Sequence, residues 1–110
     1  MKKVVKFGGS SLASAEQFKK VGDIIRADKS RRYVVPSAPG NRSSSDTKVT
    51  DMLYSCYNLA IREKKFTSLL DEIHARYNEI IDGLNLELSL DHEFDMIREN
   101  FGKKIGRDYA

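Results

Sequence analysis

Cysteine and histidine are scarce in this sequence, and long apolar runs are missing. Cys56 is the single cysteine among 110 residues, so the chain cannot form an internal disulfide, and we expect this thiol to pack in the core. The two histidines, His74 and His92, lack the spacing of metal ligands. No apolar run approaches the roughly 20 residues that cross a bilayer, and the basic start lacks the apolar stretch of a signal peptide. We therefore predict a cytoplasmic protein without membrane contact and without a metal site of its own.

The charge of the chain is nearly balanced. It has 19 Lys and Arg residues against 16 Asp and Glu residues, which leaves a formal net charge of +3. Such a count is typical of a mixed-charge surface and does not indicate a nucleic-acid partner. An anionic small molecule would still be accommodated, because it needs only a local positive site.

The first third of the chain predicts two strands separated by a helix. Residues 3–7 are β-formers that end at a pair of glycines. A helix is expected over about residues 14–28, because Ser14 and Gln17 have the spacing of a capping box. Residues 33–35 predict the second strand. The order strand, helix, strand indicates a βαβ unit, so the two strands should be parallel.

The second strand is expected to be bounded on both sides. Residues 29–32 predict a polar turn before it. Pro36 should end its ladder pairing, because proline has no amide hydrogen to donate. Residues 37–48 then predict a loop that is rich in small and hydroxyl-bearing side chains.

The rest of the sequence predicts three helices, because apolar residues recur there at intervals of three and four. These stripes cover residues 49–60, 69–84 and 90–105. Thr47 or Thr50 is the expected cap of the first of them, and the third should begin at Ser89 or Asp91 and end near Gly106. Two parallel strands leave both sheet edges open, whereas parallel sheets normally contain several strands. We therefore expect residues 1–110 to be the N-terminal portion of a larger α/β domain.

Two loops of small residues, 8–13 and 37–48, follow the carboxyl ends of the predicted strands, where parallel α/β sheets bind their ligands. Glycine lets a phosphate approach backbone amides, and the helix that begins near Ser14 directs its positive end at the first loop. Lys6 could balance charge on a phosphoryl group. The pattern is neither a P-loop nor a dinucleotide motif. A strand followed by a plain tight turn is the alternative interpretation.

Four segments in this order resemble aspartate kinases, a branch of the amino acid kinase family. They are KFGGSSLA at 6–13, VVPSAPG at 34–40, TDML at 50–53 and GRDYA at 106–110. The resemblance implies the three-layer αβα amino acid kinase fold. It also implies transfer of the γ-phosphoryl group of ATP to the side-chain carboxylate of L-aspartate, with Mg²⁺, as a step of lysine, threonine and methionine biosynthesis.

The resemblance also implies a role for individual residues. The nucleotide would be bound by Lys6, Phe7, Gly8, Gly9 and Ser10. Lys6 would in addition be catalytic, because it would stabilise charge during the transfer. Ser37 and Thr50 would bind the aspartate, and no residue is implied as a metal ligand. The full-length enzyme would be a homo-oligomer with regulatory domains beyond this chain, and the chain alone would be inactive.

Two other functions remain open at this point. One is a different member of the same family that phosphorylates glutamate, acetylglutamate or a nucleoside monophosphate. The other is a non-catalytic helical module, which would use its open sheet edges to bind another chain.

Overall fold

The computed structural model describes residues 1–103 and 106–110. Its elements are β1 (Lys3–Phe7), a 3₁₀ helix (Gly9–Leu12), α1 (Ala15–Arg26), β2 (Arg31–Pro36), α2 (Val49–Ile61), α3 (Thr67–Gly83), α4 (Asp91–Gly102) and a second 3₁₀ helix (Arg107–Tyr109). β1 and β2 are parallel neighbours, and they form a two-stranded sheet within the described residues. The predicted α/β arrangement, a parallel β-α-β start followed by a helical segment, is confirmed.

The start of α1 confirms the predicted cap. The side-chain oxygen of Ser14 accepts a hydrogen bond from the amide of Gln17 at 3.3 Å. The helix ends at Arg26, two residues before the predicted end. Asp28 instead closes the turn into β2, because its carboxylate accepts hydrogen bonds from Ser30 and pairs with Lys3 at 2.9 Å. These contacts, with that of the Ser30 hydroxyl foremost, hold the pKa of Asp28 well below its usual value.

The bounds of β2 differ from the prediction at both ends. Arg31 and Arg32 belong to the strand instead of a turn, since Arg31 pairs with Lys3. The expectation that Pro36 ends the pairing is wrong. Pro36 lies opposite Phe7, and the amide of the next residue, Ser37, donates to the Phe7 carbonyl at 3.1 Å. Successive residues of a strand present their amides to opposite edges, so the missing amide of Pro36 lies on the edge away from β1.

The start of α2 differs from the prediction. The cap position of α2 is Lys48, without a side-chain hydrogen bond, so the expected capping by Thr47 or Thr50 is wrong. The amide of Val49 is satisfied instead by the Pro39 carbonyl at 3.0 Å. In this way a contact from the preceding loop replaces a local cap.

The fourth helix is shorter than its apolar stripe. At its start, the hydroxyl of Ser89 accepts a hydrogen bond from the Asp91 amide at 3.2 Å, as expected. The helix ends at Gly102 and not near Gly106, because glycine is a poor helix former and the Lys103 amide closes the last turn. Ile105, which the prediction included, lies outside the described residues.

The core lies between the last three helices, and the sheet is covered less completely. The buried side chains of this cluster are those of Val49, Met52, Cys56, Ala60, Leu70, Ile73, Phe94 and Phe101. The expected packing of Cys56 is therefore confirmed. One face of the sheet is open, with Val4, Tyr33 and Val35 exposed by 69%, 52% and 48%. Val4 lies opposite Tyr33 in the strand register, and Lys6 lies opposite Val35 on the same face.

Candidate functional site

The two small-residue loops meet beyond the carboxyl ends of β1 and β2. The first loop (residues 8–13), which was predicted as irregular but contains the 3₁₀ helix Gly9–Leu12, is joined to the second loop (residues 37–48). The Gly40 amide donates to the Gly9 carbonyl at 2.8 Å. A Cβ atom at Gly40 would lie 2.6 Å from the carbonyl carbon of Gly9. Only a residue without a side chain allows the two backbones to approach this closely.

Residues of both loops and of the first turn of α2 line a cleft of about 360 Å³. The lining residues are Gly9, Ser10, Ser37, Ala38, Pro39, Gly40, Asn41, Lys48 and Thr50. Four of the seven predicted site residues are therefore brought together here, and they come from both proposed halves of the site. Within the described part of the chain, no acidic side chain lines this cleft.

Lys6, Phe7 and Gly8 do not line the cleft but lie beside it, at the end of β1. The Lys6 side chain is exposed, and no residue in the described ranges forms an ion pair with it. The carbonyl of Phe7 accepts the hydrogen bond from Ser37. A Cβ atom at Gly8 would meet nothing within 4 Å, so the space beside this residue is open to a ligand.

Two lining residues were missed by the sequence reasoning. Lys48 is the one charged side chain among the described residues that line the cleft, and it lies two positions before Thr50. Asn41 also lines it, and its side-chain oxygen is buried without a hydrogen-bond partner in the described structure. Lys48 had a usable signal in the sequence, because a basic residue directly before a helix is unfavourable next to the positive end of the helix dipole and therefore suggests a functional role. Nothing in the local sequence distinguishes Asn41.

The sequence reasoning also missed Arg76. Among the described residues it is a charged side chain that is buried, with 5% of its surface exposed. Its guanidinium donates to the Thr47 carbonyl at 2.9 Å, to the Gly40 carbonyl at 2.7 Å and to the Ala13 carbonyl at 3.4 Å. Arg76 thereby joins α3 to both loops. The available signal was its register, because it lies three residues after Ile73, on the apolar stripe of α3.

The second loop is further ordered by ionic contacts. Asp46 accepts hydrogen bonds from the backbone amide of Arg42 at 2.9 Å and from its side chain at 2.8 Å. These bonds, chiefly the side-chain one, hold the pKa of Asp46 well below its usual value, so the group is ionised at neutral pH. Its carboxylate lies 3.8 Å from the guanidinium of Arg76 and compensates part of that buried charge. Ionic contacts therefore hold both ends of the serine tract, while Ser43, Ser44 and Ser45 themselves are exposed to solvent.

Among the described residues, none of the helices has the length and apolar character required to span a membrane. In residues 1–103 and 106–110, no group of three or more His, Cys, Asp or Glu side chains is arranged to hold a metal ion.

The sequence model of the amino acid kinase family matches residues 1–98. The chain belongs to the amino acid kinase family. Among its relatives, aspartokinase 3 of Bacillus subtilis is 44% identical over 88 residues, which is 80% of this chain and 19% of that protein. The aspartokinase of Chlamydia pneumoniae is 38% identical over 85 residues, 76% of this chain and 17% of that protein.

A solved structure gives the same result for the fold. The crystal structure of the aspartate kinase from Clostridium acetobutylicum is similar to this chain with a TM-score of 0.93 and 41% sequence identity. The match covers 99% of this chain and 25% of that one. The resemblance to aspartate kinases is therefore confirmed, as is the α/β fold. The chain spans about a fifth of the length of the curated relatives described above.

Proposed function

We propose that residues 1–110 form the N-terminal portion of the catalytic domain of an aspartate kinase, which transfers the γ-phosphoryl group of ATP to the side-chain carboxylate of L-aspartate. The observation that carries this proposal is the meeting of two glycine-containing loops at the carboxyl ends of parallel strands. Further support is the identity of 38–44% to aspartokinases. The phosphorylated product would enter lysine, threonine and methionine biosynthesis in the cytoplasm, and the whole enzyme would be a homo-oligomer.

The first loop would bind the nucleotide. Gly8 and Gly9 would present backbone amides to the phosphates, with Phe7 and Ser10 on either side of them. The open space beside Gly8 fits this role, because no side chain of the described chain occupies it. Lys6 would stabilise charge on the transferring phosphoryl group. Catalysis of this kind consists of positioning and electrostatic stabilisation and needs no nucleophile from the protein.

The second loop would bind the aspartate. Ser37 and Thr50 contribute hydroxyls to the cleft, and a hydroxyl can donate to a carboxylate. Lys48 adds a positive charge close to them, and Asn41 lines the same cleft. The cleft volume of about 360 Å³ is within the range of sites for small molecules.

Magnesium would be held through the nucleotide. Mg²⁺ prefers oxygen ligands such as carboxylates and phosphates, and the described part of the cleft has hydroxyls and amides but no carboxylate. These residues therefore fit the phosphates of ATP better than they fit the metal itself. When bound, the ion would neutralise charge on the phosphate oxygens.

The open face of the sheet supports the proposal that the domain continues beyond this chain. Val4, Tyr33 and Val35 form an apolar surface that a complete three-layer domain would cover. We infer that this chain alone does not catalyse the phosphorylation of aspartate. The same surface is what a non-catalytic interaction module would use, so that function remains the second candidate.

The test is aspartate-dependent release of ADP from MgATP, measured on this chain and on the full-length product of the gene that encodes it. We expect release from the longer protein only. Glutamate, acetylglutamate and a nucleoside monophosphate serve as competing substrates, and preference for one of them would move the assignment to another branch of the family. Aspartate-dependent ADP release from the 110-residue chain would refute the inference that its catalytic site is incomplete.

The role of Lys6 is tested in the same assay. Lys6→Met should lower kcat by about 10²–10³, the usual cost of removing one stabilising group from a transition state. Lys19→Met is the matched control, because Lys19 is an exposed lysine of α1. Equal rates for the two variants would exclude Lys6 from catalysis.

A further inference from the structure

We propose that Arg76 is a positioning residue, which holds the second loop in register with the first loop and thereby sets the geometry between the two substrates. This inference rests on the proposed function of the cleft. Arg76 itself is not among the residues that line the cleft. Its effect would be transmitted through the backbone groups to which it donates.

The contacts of Arg76 connect three segments that are distant in sequence. Its Nη2 atom donates to the Gly40 carbonyl at 2.7 Å and to the Ala13 carbonyl at 3.4 Å, and its Nη1 atom donates to the Thr47 carbonyl at 2.9 Å. Ala13 ends the first loop, whereas the other two carbonyls belong to the second. One rigid, planar group therefore fixes the separation of the loops.

The position of these bonds links them to the site. Gly40 donates its amide to Gly9 and accepts the bond from Arg76 with its carbonyl. Gly9 and Gly40 both line the cleft. A displacement of the second loop would therefore change the distance between the amides proposed to hold the phosphates and the hydroxyls proposed to hold the carboxylate.

Packing of α3 does not explain an arginine at this position. Arg76 lies on the apolar stripe of that helix, where an aliphatic side chain would be buried without the cost of desolvating a charge. Replacing a whole buried ion pair by apolar residues is often neutral for stability, whereas removing Arg76 alone would leave the Gly40 and Thr47 carbonyls without this donor and should destabilise the fold. Asp46, which offsets part of the charge, has its own partner in Arg42 and keeps it when Arg76 is removed.

The experiment compares three variants of the full-length enzyme. Arg76→Met removes the donors and keeps most of the volume, and Arg76→Lys keeps the charge but not the planar group. Arg98→Met is the control, because Arg98 is a partly buried arginine of α4 that pairs with Asp71 at 2.9 Å and, in the described structure, forms no hydrogen bond with either loop. The readouts are kcat and KM for both substrates, and hydrogen exchange of peptides from the two loops.

We expect Arg76→Met to lower kcat/KM for aspartate about 100-fold, the usual effect of misplacing a reacting group by about 1 Å. KM should rise, and the second loop should exchange faster while peptides of α2 do not change. Arg76→Lys should give intermediate values, and Arg98→Met should resemble the wild type. A purely structural role would instead reduce the amount of folded enzyme and could change loop exchange, but it would leave the KM of the folded enzyme unaltered.

The outcomes separate this inference from the proposed function. If the wild type shows no aspartate-dependent reaction, the proposed function fails, and loop exchange alone decides whether Arg76 fixes the loops. If the wild type is active and Arg76→Met matches Arg98→Met in KM and loop exchange, the positioning role is refuted. If Arg76→Met does not fold, Arg76→Lys takes its place, and an unchanged KM in that variant overturns the inference.

Discussion

The backbones of the two loops are in direct contact at Gly40, and Gly40→Ala is the sharpest test of that contact. The added Cβ would lie 2.6 Å from the carbonyl carbon of Gly9 and 2.9 Å from the amide nitrogen of Ser10. Both are backbone atoms, which cannot rotate away as a side chain would. An ordinary contact begins at 3.4 Å, so one loop must move by about 0.8 Å.

The magnitude follows from that displacement. The hydrogen bond from Gly40 to Gly9, now 2.8 Å, would lengthen to about 3.6 Å, beyond the limit of a hydrogen bond. Overpacking costs about 1–3 kcal/mol, and the lost bond costs about 0.5–1.5 kcal/mol. Alanine also lowers the conformational entropy of the unfolded chain, which stabilises the folded state by about 0.4–1 kcal/mol. We therefore expect a net loss of about 0.5–4 kcal/mol, with a central value of about 2 kcal/mol, in the free energy of unfolding.

The assay is urea unfolding of the chain, monitored by far-ultraviolet circular dichroism, which reports the helix content. With an m-value on the order of 1 kcal/mol per M, the midpoint should fall by about 2 M urea for the central value of that loss. Gly8→Ala is the matched control for stability. It adds the same methyl group to the same loop pair, at a φ of −75° and in empty space. Equal midpoints for the two variants would refute the close approach of the loops.

Three further predictions concern the cap, the buried thiol and the ionic loop. Ser14→Ala should cost about 1 kcal/mol of stability in urea unfolding, because it removes the side-chain cap of α1, and the exposed Ser55→Ala should change little. Burial raises the pKa of the Cys56 thiol to about 11, so alkylation should require unfolding. Between the ordinary thiol pKa of about 8.5 and the raised value of about 11, the folded chain keeps the thiol proton that the unfolded chain loses. The free energy of unfolding should therefore fall as pH rises through this range, and a flat profile would contradict the burial of the thiol. The pKa of Asp46 is lowered on folding, so its contribution is present above its unfolded value of about 3.9 and is lost as pH falls. Asp46→Asn should therefore flatten the acid limb of a stability profile, and an unchanged limb would contradict the ionic contact.

Most of the secondary structure could be predicted, because its signals are local. The strand at 3–7 has the predicted bounds, and the Ser14 cap forms with the predicted partner. Two of the errors lie where a distant contact replaces a local signal. The Pro39 carbonyl takes the place of a threonine cap on α2, and the pairing with β1 determines which edge of β2 lacks the amide of Pro36.

The candidate site was predicted less completely than the fold. The sequence indicated Gly9, Ser10, Ser37 and Thr50, which do line one cleft. It indicated neither the order of the serine-rich loop nor the buried arginine that holds it. Arg76 lies on α3, which follows the loop in sequence, and the ion pairs of Arg42 with Glu79 and of Asp46 with Arg76 also reach that helix.

The sequence by itself determined the elements and the motifs, because capping, strand propensity and glycine spacing act over a few residues. The parallel βαβ unit and the resemblance to aspartate kinases follow from that local information. Only the tertiary structure decided which groups meet. Arg76 reaches Gly40 across 36 positions and Ala13 across 63, and no periodicity in a sequence encodes such contacts. They exist because the packing of α2, α3 and α4 presents one side of α3 to both loops, where their buried carbonyls need donors.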